Sequence, residues 1–562
     1  MRVEVLETEP TVADRPFVNS MTMPVLTPHA GESPAPGIRG VMTSLGHRCV
    51  RYWWDATSQA LCQVFGVTGV TGVTGGRRRW SAAAVAIVAF LTTTDGTIVN
   101  VALPSIQRDL RLSLPTAQWI VTGYLITFSA LMLTGGRLSD RYGRRLVLLL
   151  GLGVFTAASL LAGVADSAAA LLIARAVQGA GAALALPAGL AVAASGPTAR
   201  DRDTAAAVWL ASLASALAMG PFLGGWISQH LRWNWIFLVN VPAGLAGLLI
   251  AGFAVEDSPR DETAHSDWAG LVCSAAVLAA ATFVLIDGGA AGWTSPPIVA
   301  AGAASAVGAA GFCYWERRCR TPMIDLALVS GRVLRGGVAA SVMWGAGVNG
   351  VFFFTSLFLQ RYAGFSATRT GLVFVPIALL VILVTPLTPA IAGRLGAART
   401  VAAGLIIVAA GLALLAVTVG SASPQHLSIA VLLAPAAVIG AGSALTVPLT
   451  TSVLASVPAA RAGVAGGILS LAREASGLLG IGVIGLIVTA SGPVPASRAV
   501  GTAFARGYER GLLTAVALTV VGALVAWRTL PGQRLASGPD RDTEGPPLRS
   551  RATVTRREPP LA

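Results

Sequence analysis

Long apolar stretches alternate with short polar segments along the chain from residue 81 onward. An apolar run of about 18 residues or more predicts a membrane-spanning helix, because a helix of that length crosses the hydrocarbon core of a bilayer. We predict fourteen spans, numbered 1 to 14 in chain order: 81–102, 117–136, 146–165, 169–193, 205–228, 235–254, 268–287, 297–315, 336–359, 370–392, 400–420, 427–452, 463–490 and 511–528. The predicted fold class is an all-α integral membrane protein, with the lipid bilayer as its surroundings.

Arginines in the short polar segments predict the orientation of these spans. Three arginines at 77–79 precede span 1, four lie within 137–145, and more lie within 317–335 and in the C-terminal tail. Such loops face the cytoplasm under the positive-inside rule. Two loops argue the other way: 256–267 has one arginine among several acidic residues, and 498–510 places three arginines outside. The sum predicts a multi-pass protein of the cell membrane with both termini cytoplasmic.

The remaining organisation follows from composition and from one weak repeat. Residues 1–80 are rich in Pro, Ser and Thr and lack the apolar core of a secretory signal, so we predict a disordered cytoplasmic N-terminal tail, with Met42 as an alternative start. Gly-Arg-Leu follows both span 2 and span 10, which suggests two six-span halves separated by spans 7 and 8. The predicted domains are a six-helix bundle at 81–255, two extra spans with linkers at 256–335, a second six-helix bundle at 336–530, and a disordered cytoplasmic tail at 531–562.

Composition excludes several classes of function. The chain is 54% hydrophobic and only 12% charged, whereas soluble domains carry about 25% charged residues. Its net charge of +14 comes from arginines in loops and tails, not from a basic soluble domain, so no nucleic-acid partner is predicted. The sequence contains no GxxxxGK[ST] or HExxH motif and no metal-ligand spacing among its five cysteines. We therefore predict no enzyme activity, no cofactor and no metal, and we expect a monomer.

Few ionisable residues fall inside the predicted spans. Each costs about 2.5 to 3.5 kcal/mol at the centre of a membrane on insertion scales, so each is a candidate functional group. Asp95 in span 1 is either a proton-coupling site or a structural carboxylate paired with a neighbouring span. Arg175 in span 4 shares a helix face with Gln178 and Gly179 and keeps its proton. It therefore binds an anion, controls the pKa of a carboxylate, or clamps the structure.

Span 13 carries the adjacent pair Arg473 and Glu474. Neighbouring residues point about 100° apart on a helix, so the two side chains do not share a face. We predict that Arg473 points into the bundle, while Glu474 is either a second proton site or an interfacial residue. Asp287, at the end of span 7, is assigned to the protein surface.

Several stretches resemble signatures of the major facilitator superfamily, in its fourteen-span drug:proton antiporter branch. They are "DGTIVNVALPSI", "GGRLSDRYGRRLVLL", "RAVQGAGAA", "MGPFLGGW", "SLFLQRYAGFSATRTGLVFVP" and "LAREASGLLGIGV", and the resemblance covers roughly residues 81–530. It implies a major facilitator fold in which two six-helix bundles rock about a central cavity. It also implies proton coupling at Asp95 and Arg175. In span 13 the family commonly has an amide after the arginine, whereas this chain has Glu474 after Arg473, and whether Glu474 adds a proton site is open. Arg473 is a candidate second buried charge.

The resemblance also assigns two motifs. The loop after span 2 is a candidate gate, formed by Gly136, Asp140, Arg141, Gly143, Arg144 and Arg145. Asp140 and Arg144 stand four residues apart, so they pair across one helical turn, or Asp140 binds a neighbouring helix N-terminus; either contact would break as the halves rock. The antiporter motif of span 5 is formed by Gly220, Pro221, Gly224 and Gly225, with Ala216 where the pattern prefers glycine.

The resulting functional expectation is secondary active, proton-coupled export of a small-molecule drug or antibiotic across the cytoplasmic membrane. Candidate cavity residues are the aromatic side chains of span 9: Trp344, Phe352, Phe353 and Phe354. Two alternatives remain open at this stage. One is an importer or exchanger of a metabolite on the same fold, and the other is a non-transporting membrane sensor.

Overall fold

A computed structural model describes residues 73–195, 198–258, 260, 267–319, 322, 324, 326–421, 427–458, 461–490 and 501–531. Within this part of the chain, fourteen helices are long and apolar enough to cross a membrane, which confirms the predicted spans. The predictions for the two tails fall mainly on 1–72 and 532–562, which lie outside the described residues.

The helices extend beyond the apolar runs at most of their ends. Their bounds for spans 1 to 8 are Val73–Asp109, Leu114–Tyr142, Arg144–Gly163, Ala168–Ala193, Ala199–His230, Trp235–Leu238 with Asn240–Ala254, Trp268–Ala291 and Pro296–Arg318. Those for spans 9 to 14 are Arg332–Leu357 with a π-helical turn at Phe358–Tyr362, Ala367–Val384 with Thr388–Leu395, Ala397–Ser421, Ile429–Ala444 with Val447–Ala455, Ala462–Ala490 and Gly501–Thr529.

Polar residues just outside the apolar runs begin several of these helices. The Ser113 side chain accepts a hydrogen bond from the Thr116 backbone at the start of span 2. Thr198 and Asp201 form a reciprocal capping box at the start of span 5. Such caps satisfy backbone N–H groups that the first turn leaves without a partner. The helices therefore begin at these caps, outside the apolar runs.

The architecture is the predicted pair of six-helix bundles with two additional spans. We call spans 1–6 the N-bundle and spans 9–14 the C-bundle. The two meet along two seams, where span 5 packs on span 10 and span 2 packs on span 13. We call the end at which span 1 begins the proximal face and the opposite end the distal face.

Hydrogen bonds join the two bundles towards the distal face. They run from Gln118 Nε2 to Ile481 O at 3.2 Å, from Gln360 Nε2 to Val101 O at 2.8 Å, and from Thr368 N to Gln229 Oε1 at 3.1 Å. Because these bonds cross both seams, the bundles are held together at this end of the molecule.

Span 7 lies over one seam and contacts both bundles. Trp119 Nε1 in span 2 donates a hydrogen bond of 2.8 Å to the Asp287 carboxylate, and Leu285 packs against Gly482 in span 13. Asp287 is half-buried near the distal end of span 7, and its assignment to the protein surface stays a prediction. Its partner lies 168 positions away in the chain, so the local pattern contained no sign of it.

Candidate functional site

The centre of the N-bundle contains a buried ion pair between Asp95 and Arg175. The shortest distance, from Arg175 Nη1 to Asp95 Oδ2, is 2.5 Å. The two side chains are 0% and 1% exposed, so neither reaches solvent in this conformation. Spans 1 and 4 therefore meet through a fully enclosed pair of opposite charges.

Side-chain amides complete the surroundings of the carboxylate. Gln178 accepts from Arg175 Nη1 at 2.7 Å, and its amide nitrogen donates to Asp95 Oδ1 and to Ser159 Oγ, both at 2.8 Å. Asn240 Nδ2 donates to the same Asp95 oxygen at 3.2 Å. These donors, together with the guanidinium, satisfy the ionised form of the carboxylate.

The guanidinium is enclosed on its other sides by span 2 and span 6. Arg175 Nε donates to the Ile120 carbonyl at 3.2 Å, and its Cζ lies 4.4 Å from the centroid of the Tyr124 ring. The Phe237 ring lies 5.7 Å away. Aromatic faces attract a cation, and this attraction grows when the cation is removed from water. The positive charge is thus held by carbonyl, carboxylate and ring contacts together.

The Asp95 carboxylate in this network is a group that could bind a proton. A buried carboxylate–guanidinium pair is stable as a unit, whereas removing the charge of one member leaves an uncompensated buried ion. A proton bound at Asp95 would neutralise the carboxylate and weaken its bond to Arg175. The Asp95–Arg175 contact joins spans 1 and 4, and the proton-coupling role of this pair stays a prediction that its geometry permits.

The sequence predicted the two charged members of this network but not most of the polar residues that surround them. Asp95 and Arg175 are brought together as a pair, and Gln178 lies on the predicted face. Ser159, Tyr124 and Asn240 were missed. The one local signal was the asparagine within the apolar stretch "FLVNVPAG", since a polar side chain in a span needs a partner.

Arg473 and Glu474 lie apart from the Asp95 network, on span 13. Arg473 is placed over the Trp344 ring of span 9, with its Cζ 5.0 Å from the centroid, and it remains an exposed residue. Glu474 lies between Gly467 and Gly477, which contact Leu133 and Leu125 of span 2. The carboxylate is therefore placed beside the seam between the bundles and is only partly exposed.

The loop between spans 2 and 3 turns at Gly143, whose φ is +96°. This backbone conformation favours glycine, because a Cβ there is strained. The Arg144 N–H donates to Ser258 Oγ at 2.9 Å, and Arg145 pairs with Asp257 at 3.5 Å. The loop is thereby tied to the end of span 6 in the same bundle.

The predicted pairing of Asp140 with Arg144 across one helical turn is wrong. Span 2 ends at Tyr142 and span 3 begins at Arg144, so the two residues belong to different helices. Asp140 and Arg141 occupy the last turn of span 2, while Gly136 lies one turn earlier, facing Pro187 of span 4. The gating role of this loop stays a prediction.

Glycines of span 5 allow close packing inside the N-bundle. A Cβ added at Gly220 would lie 3.1 Å from Thr97 Cβ, and one added at Gly224 would lie 3.0 Å from Ile98 Cγ1. Both neighbours belong to span 1. Small residues four apart let two helix backbones approach in this way.

The other two members of the motif face the C-bundle. A Cβ added at Gly225 would lie 3.0 Å from Thr368 Cα, and one added at Gly371 would lie 3.0 Å from the carbonyl carbon of Pro221. The motif therefore has two sides: Gly220 and Gly224 contact span 1, whereas Pro221 and Gly225 contact span 10. Its antiporter role stays a prediction.

A small apolar cavity of about 20 Å³ lies inside the C-bundle, between spans 9 to 12. Phe352 lines it and stacks on Phe374 with ring centroids 4.9 Å apart. Phe353 and Phe354 are fully buried in helix packing and do not line this space, and their place in a transport cavity stays a prediction. This space holds about one water molecule and is too small for a drug in this conformation.

The positions of the possible metal-ligating side chains also bear on the site. In the ranges that the structure describes, no three His, Cys, Asp or Glu residues come close enough to hold a metal ion.

Comparison with known proteins identifies the group to which this architecture belongs. The profile of the Major Facilitator Superfamily matches residues 85–481. The chain is 34% identical over 409 residues to the multidrug resistance protein Stp of Mycobacterium tuberculosis, covering 72% of this chain and 75% of that protein. It is 30% identical over 489 residues to the puromycin resistance protein pur8 of Streptomyces alboniger, covering 84% of this chain and 96% of that protein.

A solved structure agrees on the fold. A bacterial homologue of the human lysosomal transporter Spinster, in an inward-facing and unoccupied conformation, superposes with a TM-score of 0.57 at 17% identity. The match covers 81% of this chain and 98% of that chain. The two-bundle fold, the matched profile and the full-length relatives lead to one conclusion: this chain belongs to the major facilitator superfamily.

Proposed function

We propose that this protein exports a small-molecule drug or antibiotic across the cell membrane in exchange for protons. The observation that carries the proposal is the buried Asp95–Arg175 pair with its amide partners. The similarity of this chain to multidrug and puromycin resistance proteins supports export rather than import. In this proposal the protein works as a monomer, with both termini in the cytoplasm and no nucleic-acid partner.

The proposed cycle couples one proton to a change between two arrangements of the bundles. In the present arrangement, seam contacts close the distal face. We assign the proximal face to the cytoplasm, so substrate enters the space between the bundles from that side. Protonation of Asp95 loosens its bond to Arg175 and biases the return of the bundles after release. The loop at 136–145 and the antiporter motif of span 5 then change their contacts as the bundles rock.

The available energy is sufficient for active export. Movement of one proton through a membrane potential of 100 mV provides about 2.3 kcal/mol, and a tenfold proton gradient adds about 1.4 kcal/mol. Together these support a substrate gradient of roughly five-hundredfold for each proton moved. A passive exchanger of metabolites would show no such dependence on the proton gradient.

A panel of toxic compounds tests the proposed function. We expect a sensitive host that expresses the protein to tolerate at least one antibiotic at about fourfold or higher concentration, since secondary exporters of this kind lower the cytoplasmic level. The same compound should accumulate in inside-out vesicles when their interior is acidic, and a protonophore should abolish this accumulation. Uptake from the opposite side without any proton dependence would support an importer or exchanger instead.

Glu474 gives a second prediction for the same transport assay. We propose that this carboxylate beside the seam is an additional proton site. Replacing Glu474 with Gln keeps the size and removes the charge, so we expect substrate accumulation per unit of proton gradient to fall about tenfold, equal to about 1.4 kcal/mol. The thermal unfolding temperature should not fall, because no ion pair among the described residues involves Glu474. Unchanged accumulation would contradict this role.

A further inference from the structure

A polar cavity of about 330 Å³ lies at the distal face, between the two bundles. The N-bundle contributes Arg108 of span 1 and Ser228 of span 5 to its wall. The C-bundle contributes Gln360 and Arg361 at the end of span 9, and Ser366 at the start of span 10. Two guanidinium groups from opposite bundles therefore line one cavity that is partly open to solvent, with Arg108 exposed and Arg361 half-buried.

No carboxylate offsets these two positive charges within the wall of the cavity. Asp109 is next to Arg108 in the chain, but it accepts a hydrogen bond of 2.7 Å from Trp233 and lies 3.7 Å from Arg232. The cavity thus carries an excess of positive charge.

Two polar atoms of the cavity wall are buried without a partner. Arg361 Nε and Ser228 Oγ make no hydrogen bond with any described residue. Arg361 has one contact, from Nη2 to Gln107 Oε1, and at 3.5 Å that contact is long. Leaving a buried donor unsatisfied costs about 1 to 3 kcal/mol, so a ligand that accepts hydrogen bonds would be stabilised here.

Two backbone features of the C-bundle border this cavity, and one of them, the start of span 10, carries partial positive charge. The chain of span 9 ends in a π-helical turn, Phe358–Tyr362, and such turns occur frequently at functional sites. Span 10 begins at Ala367, with Ser366 as its N-cap. The N-terminus of a helix carries partial positive charge, which favours anions. Here the Thr368 N–H donates to Gln229 and the Arg369 N–H donates to Ser366, so the contribution is that of the helix dipole.

We propose that this distal cavity binds an oxyanion, either a free phosphate or carboxylate group or the phosphate of a lipid headgroup. The anion bridges Arg108 and Arg361 and offsets the repulsion between them. Because the two arginines belong to different bundles, the site is complete only while the distal face is closed. An anion that binds one arrangement more tightly shifts the population towards it, so the bound anion stabilises the closed distal face. This proposal does not depend on which compound the protein exports.

Ligand-dependent thermal unfolding of the purified full-length protein tests the site. We expect inorganic phosphate, compared with chloride at equal ionic strength, to raise the unfolding temperature of the wild type with saturation. Equal ionic strength separates binding from general screening. This phosphate-dependent rise in unfolding temperature should be lost in R108Q and in R361Q. For each variant, the unfolding temperature in phosphate is compared with that of the same variant in chloride. The rise should persist in R369Q, which alters an exposed arginine in the first turn of span 10 that is absent from the cavity wall.

A second set of measurements separates the two sources of the anion. The wild type and the R108Q/R361Q double variant are placed in nanodiscs of phosphatidylcholine alone or with phosphatidylglycerol. If phosphatidylglycerol stabilises the wild type but not the double variant, the bound anion is a lipid headgroup. If the wild type responds to free phosphate but not to phosphatidylglycerol, the bound anion is soluble. No response of the wild type to either, or equal responses in the double variant, would overturn the proposal. Drug-resistance assays do not enter this test, so its failure is distinguishable from failure of the export proposal.

Discussion

Replacing Asp95 with Asn is expected to abolish proton-driven export and to destabilise the protein. The substitution leaves the Arg175 guanidinium buried, 1% exposed, without its carboxylate partner. Breaking a buried ion pair by removing one member costs about 3 to 5 kcal/mol. We expect a lower unfolding temperature together with loss of resistance and of accumulation in inside-out vesicles.

A double variant separates the structural role of this pair from its role in coupling. Asp95→Asn with Arg175→Gln removes both charges and leaves amides that can bond to each other and to Gln178. We expect the double variant to recover most of the lost stability, because replacing both members of a buried pair is often nearly neutral. Transport should not recover, because the network no longer has the carboxylate proposed to accept the proton.

Two results would count against the coupling role. Wild-type resistance in Asp95→Asn at equal expression would show that the proton acts elsewhere. Recovery of proton-dependent transport in the double variant would show that the pair serves only to hold spans 1 and 4 together. In either case Glu474 would become the leading candidate for the proton site.

The second large effect is expected at Gly225. A leucine at this position would collide with the backbone of span 10, because even a Cβ there lies 3.0 Å from Thr368 Cα. The collision exists only while the distal face is closed. We therefore expect Gly225→Leu to favour an open distal face by about 1.4 kcal/mol or more, a shift of at least about tenfold in population.

Cysteine labelling measures this shift. Val101 is 1% exposed at the seam, and its carbonyl accepts a hydrogen bond from Gln360. Val101→Cys, in a background without the five native cysteines, should react with a maleimide about tenfold more often when Gly225→Leu is added, in line with the population shift. Export should fall at the same time, because the cycle is held in one arrangement.

Two further glycines serve as controls for the labelling experiment. Gly220 packs against Thr97 inside the N-bundle, so Gly220→Leu should lower stability without a selective increase in labelling. Gly311 in span 8 has no atom within 4 Å of an added Cβ, so Gly311→Leu should leave labelling and export unchanged. Equal labelling in Gly225→Leu and in Gly311→Leu would contradict the proposed role of Gly225.

The sequence by itself determined the number of spans, the class of fold and the chemistry-bearing residues within the bilayer. This was possible because membrane insertion depends on local sequence. A long run of apolar residues is enough to predict a span, and a charged residue within that run is costly in the bilayer whatever its partners are. The antiporter motif with Gly220 was also found from the sequence, because its glycines stand at helical spacing that lets helix backbones approach.

Tertiary structure alone decided which of these groups meet. Asp95 and Arg175 are 80 positions apart, and the Asn240 amide that completes the carboxylate shell is 145 positions from Asp95. Three other features depend likewise on how separate helices pack. They are the contact of Asp287 with Trp119, the division of the antiporter motif between spans 1 and 10, and the distal cavity with its two arginines. A hydrogen bond or an ion pair extends only a few ångströms, whereas helix packing brings together residues from anywhere in the chain, so no local pattern contains the pairing.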